Sequence, residues 1–383
     1  MQMSKVTYLL ILFLLWVNFW DVKFLYIDDN SRLYVVLLYL LFGYYIFRSK
    51  KSQIVFSSPN KYLYYILGGM SLSMVSAYLF YNQSFTQSLI TYRFQYYLIA
   101  LPVIFKIKPN INEIIKSLNI FSILMFANYV LRNMFPSLYV LRDNFIIGFH
   151  QHLLLGYTLL SIPFYYYLQK LQIQFKMQYL LYIGLLITLI FLMGNRSLFF
   201  PVAIFMIYSF FKIKSRNKHI FIILILLVLI MVAYSTMDTL LSMYDESIND
   251  IYNEDYNRNR AILYFLFESS PNIFCTMFGN GMISIHHNVM NAILMGDGIH
   301  NSDVGFIGYW NYFGLIPVIT MLYMYVKVLI NKKYPYFLKL ISLQTLLCGL
   351  TISFFAQPHH MLFFILFYYM FIYYNTTLSD NTL

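Results

Sequence analysis

Hydrophobic residues in this chain form long, nearly uninterrupted blocks, and the polar residues collect in the stretches between them. A helix that crosses a bilayer needs about 20 mostly apolar residues, and most blocks approach that length. No run shows the short apolar–polar alternation of a membrane β-barrel. The pattern predicts an all-α polytopic membrane protein with about twelve transmembrane helices, near residues 6–22, 33–47, 62–80, 89–105, 113–131, 152–168, 177–193, 198–211, 219–236, 304–326, 336–355 and 361–374.

Composition and charge agree with a membrane protein. The chain is 60% hydrophobic and 11% charged, whereas a soluble domain has about 25% charged residues. If the N-terminus is inside, 18 of the 26 lysine and arginine residues fall in cytoplasmic segments, as the positive-inside rule requires. The net charge of +11 is therefore a signal of topology. We expect cytoplasmic N- and C-termini and no nucleic-acid partner.

The outer face carries a different set of polar residues. Seven of the eight basic residues left outside are arginines, and seven of the eight histidines fall there too. The positive-inside bias alone accounts for outward acidic residues, but it does not account for the histidines or for the choice of arginine. Arginine presents a planar fork that binds phosphate through two hydrogen bonds. We therefore expect the chemistry of this protein on the outer face.

One external loop, residues 237–303, is much longer than the others. Loops longer than about 15 residues are usually functional or disordered, and this one is rich in Tyr, Ile, Phe and Met, which disfavours disorder. We expect a partly helical exoplasmic loop that caps the outer surface. The predicted organisation is a transmembrane bundle of about nine helices over 1–236, the large loop over 237–303, and about three further helices over 304–383.

Four outer arginines are candidates for binding an anion. Arg93 lies about one turn inside the fourth span, where it either snorkels to the interface or meets a buried anionic partner. Arg196, in the short "MGNRSLFF" hairpin, is either an interfacial anchor or a diphosphate clamp. Arg258 and Arg260 either pair with the nearby acidic residues or bind an anionic ligand. An arginine at a helix N-terminus is poorly placed for the helix dipole, which favours the ligand.

The end of the long loop carries groups that can move a proton. His300 and Asp303 lie in "GIHNSDVGF", where the chain returns to the membrane. Asp303 could cap the tenth span. Alternatively, one of the two residues acts as a general base, because histidine titrates near neutrality and a half-buried aspartate can be tuned toward it.

Three glycines flank the same part of the loop. Gly279 and Gly281, in "FGNGM", and Gly305 would let the chain fold tightly over a substrate. No GK[ST] follows the first pair, so a nucleotide site is not supported. The histidine pairs lack metal-ligand spacing. We therefore expect neither a metal ion nor a cofactor.

These features together resemble the bacterial Wzy-type polysaccharide polymerases, which make O-antigen or capsule. The likeness rests on an outer "NRS" hairpin, a late long external loop that begins near an arginine, "GNG" before its end, and "HNSDVGFIGYWNYFGLI". It covers nearly the whole chain in topology, but only 194–200 and 258–317 in motif. The O-antigen ligases of the same superfamily typically show His-Asn, nine residues, then glycine. Here the His-Asn at 300–301 leads to Asn311. The His-Asn at 287–288 does lead to Gly298, but the rest of the ligase motif does not match, which favours a polymerase.

The resemblance implies a reaction at the outer face of the bacterial inner membrane. A growing glycan on undecaprenyl diphosphate would be transferred onto a new lipid-linked oligosaccharide repeat unit, so that the partners are donor, acceptor and bilayer. His300 or Asp303 would take the acceptor proton. Whether a chain-length regulator also docks is left open. The residues that would bind the diphosphate are Arg93, Arg196, Arg258 and Arg260.

Two other functions remain as alternatives. An O-antigen ligase would transfer the glycan to a different acceptor, the lipid A core. A lipid-linked oligosaccharide flippase or other transporter would also have twelve or more spans. Transporters usually carry charged residues at mid-membrane and two similar halves. Here few charged residues fall in the middle of the predicted spans, and the long loop lies in one half of the chain only. Both features disfavour a transporter.

Overall fold

The computed structural model describes residues 4–16, 40, 43–44, 61–138, 144–146, 149–151, 157–192, 196–212, 257–284, 287, 304–350 and 358–377. This part of the chain is α-helical, as predicted. It also contains a short antiparallel pair of strands, β1 (Asn144–Ile146) with β2 (Phe149–Gln151). The α-helices are α1 Lys5–Trp16, α2 Lys61–Tyr81, α3 Phe85–Thr91, α4 Ala100–Ile107, α5 Ile111–Met134, α6 Tyr157–Ile173, α7 Met177–Leu192, α8 Arg196–Phe211, α9 Asn257–Leu263, α10 Ile273–Phe278, α11 Gly305–Phe313, α12 Leu315–Ile330, α13 Tyr336–Cys348 and α14 Pro358–Thr377.

Two predicted spans are not continuous α-helices. The region predicted as 89–105 consists of α3, a 3₁₀ helix over Tyr92–Ile99, and α4. The region predicted as 304–326 breaks at Gly314, which has φ 83° and ψ 179°. A helix cannot contain that conformation, so α11 ends there and α12 begins. Most of 33–47 and all of 219–236 lie outside the described residues.

Within the part of the chain that the structure describes, two helices are long and apolar enough to cross a membrane, Lys61–Tyr81 and Ile111–Arg132. The core helix of a soluble protein can have the same length and composition, but it is mostly buried. The burial of these two helices is more informative, because only 33% and 44% of their most apolar windows are buried inside the protein. The surfaces that they expose are apolar, with Tyr64 and Leu72 on α2 and Ile123 and Val130 on α5 among the exposed side chains.

α14 lies at the centre of the bundle. Every residue of 360–372 is buried, and a helix that is apolar on all sides is expected in an interior position. α14 contacts α1, α4, α6 and the 3₁₀ helix. These four elements pack around it.

One end of the bundle is rich in lysine. Lys327 Nζ donates to the Tyr62 hydroxyl at 3.3 Å, and the Phe337 amide donates to Gln169 Oε1 at 2.8 Å. These bonds bring together the start of α2, the end of α12, the start of α13 and the end of α6. We refer to this region as the lysine end. Lysine ammonium groups lie over aromatic rings here at Lys61, Lys170, Lys176, Lys212 and Lys327.

The opposite end holds the described part of the long loop. α2 runs from Lys61, at the lysine end, to Tyr81. At 1.5 Å per residue its 21 residues span about 30 Å, which is close to the thickness of a bilayer core. α10 packs against α2, α11 and α12. The loop residues 273–284 are thus attached directly to the helix bundle at what we name the loop end.

Candidate functional site

Two Phe-Gly pairs, Phe278–Gly279 and Phe313–Gly314, are in direct backbone contact at the loop end. A Cβ on Gly279 would lie 2.5 Å from the Gly314 nitrogen, and a Cβ on Gly314 would lie 2.4 Å from the Met277 carbonyl oxygen. Both glycines have φ 83°, a value that side-chain-bearing residues rarely adopt. Only glycine at both positions allows the two backbones to approach this closely. We name this contact the glycine crossing.

The crossing lets the loop cap α11. The last carbonyls of a helix have no partner within the helix. Here the amide of Asn280 donates to the Asn311 carbonyl at 2.7 Å, and the amide of Gly281 donates to the Tyr312 carbonyl at 3.0 Å. The "GNG" segment therefore supplies partners for two terminal carbonyls of the helix that begins about 25 residues later in the sequence.

Gln83 fixes the next part of the loop to the end of α2. Its side chain is 1% exposed. The Nε2 group donates to Ser88 Oγ at 2.9 Å and to the Met282 carbonyl at 3.0 Å, while Oε1 accepts from the Ser284 amide at 2.7 Å. One amide side chain thus bonds to two backbone groups of the loop, much as a neighbouring β-strand would. We name these contacts the Gln83 clamp.

Ser269 connects three further segments. Its carbonyl accepts from the Tyr81 hydroxyl at 3.1 Å and from Asn280 Nδ2 at 3.0 Å. Its hydroxyl accepts from Asn311 Nδ2 at 2.6 Å. Buried polar groups of this kind are stabilising when they are paired and costly when they are not. The loop end is therefore held by an uncharged polar network.

His287 also contacts the end of α2. Its Nε2 lies 2.7 Å from the Tyr81 carbonyl oxygen, and its ring meets the Tyr81 ring edge-on with centroids 6.3 Å apart. The side chain is positioned by protein groups. Among the residues that the structure describes, no cluster of three or more His, Cys, Asp or Glu side chains could hold a metal ion.

Arg258 and Arg260 lie on α9, and both side chains are partly buried. α9 continues into a single π-helical turn, Tyr264–Glu268, a feature that is frequent at functional sites. A small apolar cluster of Ala261, Phe265 and Val304 holds this segment against the start of α11. The arginine pair is thereby tied to the residue that follows Asp303 in the sequence.

The remaining predicted site residues are placed less completely. Arg93 is the second residue of the 3₁₀ helix, and Arg196 is the first residue of α8; the side chains of both fall outside the described parts. His300 and Asp303 also lie outside the described residues. Gly305 is in close contact with the end of α13, where the Phe306 amide donates to the Gly349 carbonyl at 2.7 Å.

Sequence reasoning missed the residues that hold the loop end together. They are uncharged, whereas the candidate residues that the sequence indicates are charged, titratable or glycine. Arg132, in the last turn of α5, was also not among the predicted site residues. It is 4% exposed and is the only buried Lys, Arg, Asp or Glu among the residues whose burial the structure describes. For the uncharged residues, the available signals were the two Phe-Gly pairs and an asparagine within two residues of each. The missed residues of the network are Gln83, Ser269, Asn280 and Asn311.

Burial makes Cys275 a slow nucleophile. Its side chain is 1% exposed, and burial raises the pKa of its thiol to about 11. Because only the thiolate reacts, about one molecule in a thousand is reactive at pH 8. In a Cys348→Ala background, which leaves Cys275 as the one thiol, we expect the folded protein to resist a maleimide reagent at pH 8. The same protein should react within minutes once it is denatured in dodecyl sulfate.

Rapid labelling of the folded single-cysteine protein would contradict the burial of α10 against the bundle. The denatured sample serves as the control for reagent quality and for thiol oxidation.

Comparison of this chain with protein-family models, curated proteins and solved structures finds no match.

Proposed function

We propose that this protein is a polysaccharide polymerase of the bacterial inner membrane. It spans the membrane about twelve times, with both termini in the cytoplasm and the loop end outside. It transfers a growing glycan from undecaprenyl diphosphate onto a new lipid-linked repeat unit during O-antigen or capsule synthesis. The observation that carries the proposal is the attachment of the arginine-bearing helix α9 to Val304, immediately after Asp303.

Three observations support the membrane part of the proposal. The exposed surfaces of α2 and α5 are apolar, and large exposed apolar surfaces mark contact with lipid or with another protein. The lysine end and the loop end are about 30 Å apart along α2. Finally, lysine predominates in the segments assigned to the cytoplasm and arginine outside.

The chemistry requires a cation and a base close together. The acceptor hydroxyl attacks the anomeric carbon of the donor sugar and forms a new C–O bond. The bond from that carbon to the diphosphate oxygen breaks, and the diphosphate leaves with the electron pair. Arg258 and Arg260 stabilise the developing negative charge, because preorganised donors act most strongly where charge appears. His300 or Asp303 takes the proton that the hydroxyl loses.

The arginine pair provides the direct test. In cells that lack the chromosomal gene, an Arg258→Ala/Arg260→Ala variant should yield single repeat units and no long polymer, because removal of one such donor typically lowers the rate about 10²–10³-fold. Lipopolysaccharide or capsule is separated on a gel, and the protein level is checked by immunoblot. Lys332→Ala, which removes an exposed charge at the lysine end, should keep the wild-type ladder.

The gene deletion itself separates the three functions. A single repeat unit on the final acceptor means a polymerase. Long polymer that accumulates on the lipid carrier means a ligase, and repeat units trapped on the cytoplasmic side mean a flippase. If the double arginine variant gives a wild-type ladder at matched protein level, the arginines of α9 do not bind the diphosphate.

A further inference from the structure

A cleft of about 260 Å³ opens at the lysine end, between α5, α6 and α7. It lies at the other end of the bundle from α9, so it is separate from the site proposed for polymerisation. α5 contributes Asn112, Lys116 and Asn119, which are spaced for one face of a helix. α6 contributes Tyr166, Tyr167 and Lys170.

The charge of the cleft is positive. The two charged side chains among its described lining residues, Lys116 and Lys170, are cationic. The acid nearest in the sequence, Glu113, is bound elsewhere: it accepts from the Asn110 amide at 2.7 Å and lies 3.8 Å from Lys5 Nζ. Among the described residues that line it, the cleft thus presents two ammonium groups and no carboxylate to neutralise them.

The hydrogen-bond donors of the cleft are oriented by its walls. The Tyr166 hydroxyl donates to Asn112 Oδ1 at 2.8 Å, which leaves the Asn112 amide hydrogens as donors. Asn119 Nδ2 donates to the Tyr167 hydroxyl. The Tyr167 ring stacks on Tyr182, with centroids 4.9 Å apart and planes within 6°.

The position of Lys170 is also constrained. Its ammonium group lies 5.4 Å from the centre of the Tyr166 ring, a cation–π arrangement. A ligand that enters the cleft therefore meets cations and amide donors that need little rearrangement, and such preorganisation lowers the cost of binding.

We propose that this cleft binds a phosphate group. Phosphate offers several strong acceptor oxygens around one negative centre. It suits two point-charge ammonium groups flanked by amide and hydroxyl donors. The volume is just below the ~300 Å³ of the smallest drug-sized pockets, so the ligand is a single headgroup or a small phosphate ester. This site does not depend on the polymerase function.

The test uses the purified full-length protein in a neutral detergent at low salt. Binding of inorganic phosphate is measured by calorimetry, and retention of dioctanoyl phosphatidylglycerol is measured by native mass spectrometry. We expect at least one probe to bind, and Lys116→Gln/Lys170→Gln to weaken that binding about tenfold, because each lost ammonium removes a charge-assisted contact. Lys116→Arg/Lys170→Arg, which retains both charges, should still bind.

Lys332→Gln/Lys333→Gln is the matched control. It removes two exposed charges from the same end of the bundle but outside the cleft, and it should leave binding within about twofold of wild type. Binding of the lipid alone would identify a membrane headgroup, and binding of inorganic phosphate would identify a soluble phosphate compound. Equal loss in both double variants, or no binding of either probe, would overturn the proposal.

Discussion

A Gly314→Ala substitution is expected to destabilise the protein by about 2–6 kcal/mol. The first part is conformational: φ 83° with ψ 179° belongs to a region that is essentially restricted to glycine, and occupying it costs about 1–3 kcal/mol. The second part is steric. The new methyl group would lie 2.4 Å from the Met277 carbonyl oxygen and 2.6 Å from the Phe278 Cα, and such overpacking costs about 1–3 kcal/mol.

The measurement is thermal unfolding of the purified protein in detergent, together with the fraction that elutes as a single species. A loss of this size is a large part of the 5–15 kcal/mol that typically stabilises a domain, so most of the variant should aggregate. Gly279→Ala should behave similarly. Because both glycines belong to the crossing, the double variant should lose less than the sum of the two single losses.

Gly68→Ala is the matched control for the same chemical change. Gly68 lies in the interior of the α2 sequence and is exposed on the surface of that helix. A Cβ there would meet no other atom within 4 Å. Alanine in a helix interior is more stable than glycine by about 0.5–1 kcal/mol. We therefore expect this variant to melt slightly above wild type. Equal melting temperatures for Gly314→Ala and Gly68→Ala would show that the crossing does not exist in solution.

The long helices could be predicted because a single physical signal defines them. The span predicted at 62–80 is observed as Lys61–Tyr81, and that at 113–131 as Ile111–Met134. In both cases polar or charged residues bound an apolar run, and α5 also begins with a capping box in which Asn110 and Glu113 bond to each other's backbone amides. Local sequence is sufficient where local interactions decide the boundary.

The break at Gly314 could not be predicted from the apolar pattern. The surrounding "YWNYFGLIPV" is hydrophobic, and glycine is common in transmembrane helices, so the run reads as one span. The chain leaves the helix there because Gly279 occupies the space next to Gly314. That contact joins residues 35 positions apart, and no local pattern carries it.

The candidate site, like the fold, could be predicted from the sequence only in part. The sequence predicts functional arginines on the outer side, and that stays a prediction; the structure adds that Ala261 and Phe265, which follow Arg258 and Arg260, pack on Val304 at the start of α11. The sequence did not indicate that asparagine, glutamine and serine side chains would hold the loop in position. Uncharged polar residues are frequent in loops, and their importance depends on burial, which only the folded structure defines.

A Gln83→Ala substitution is expected to have the second large effect, a loss of about 3 kcal/mol, because it leaves buried partners unsatisfied. The Ser284 amide, the Met282 carbonyl and the Ser88 hydroxyl each lose a bond to this side chain. Since two of these groups belong to the loop, residues 282–284 should detach from α2 before the bundle unfolds. Hydrogen exchange followed by mass spectrometry should show faster exchange in the peptide that contains Ser284.

The peptide in which hydrogen exchange becomes faster shows whether the variant has lost the Gln83 clamp or has lost stability throughout the protein. Gln83→Glu keeps the size of the side chain but removes both amide donors, so it should expose the loop as much as alanine does. Gln87→Ala removes a nearby exposed glutamine, whose Oε1 accepts from the Ser84 amide at 3.3 Å in the cap of α3, and it should cost about 1 kcal/mol or less. If Gln83→Ala and Gln87→Ala give the same exchange in the loop, Gln83 is not what holds it. If only the two Gln83 variants release the loop, then one buried amide couples α2 to the segment that caps α11, and through α11 to the arginine helix.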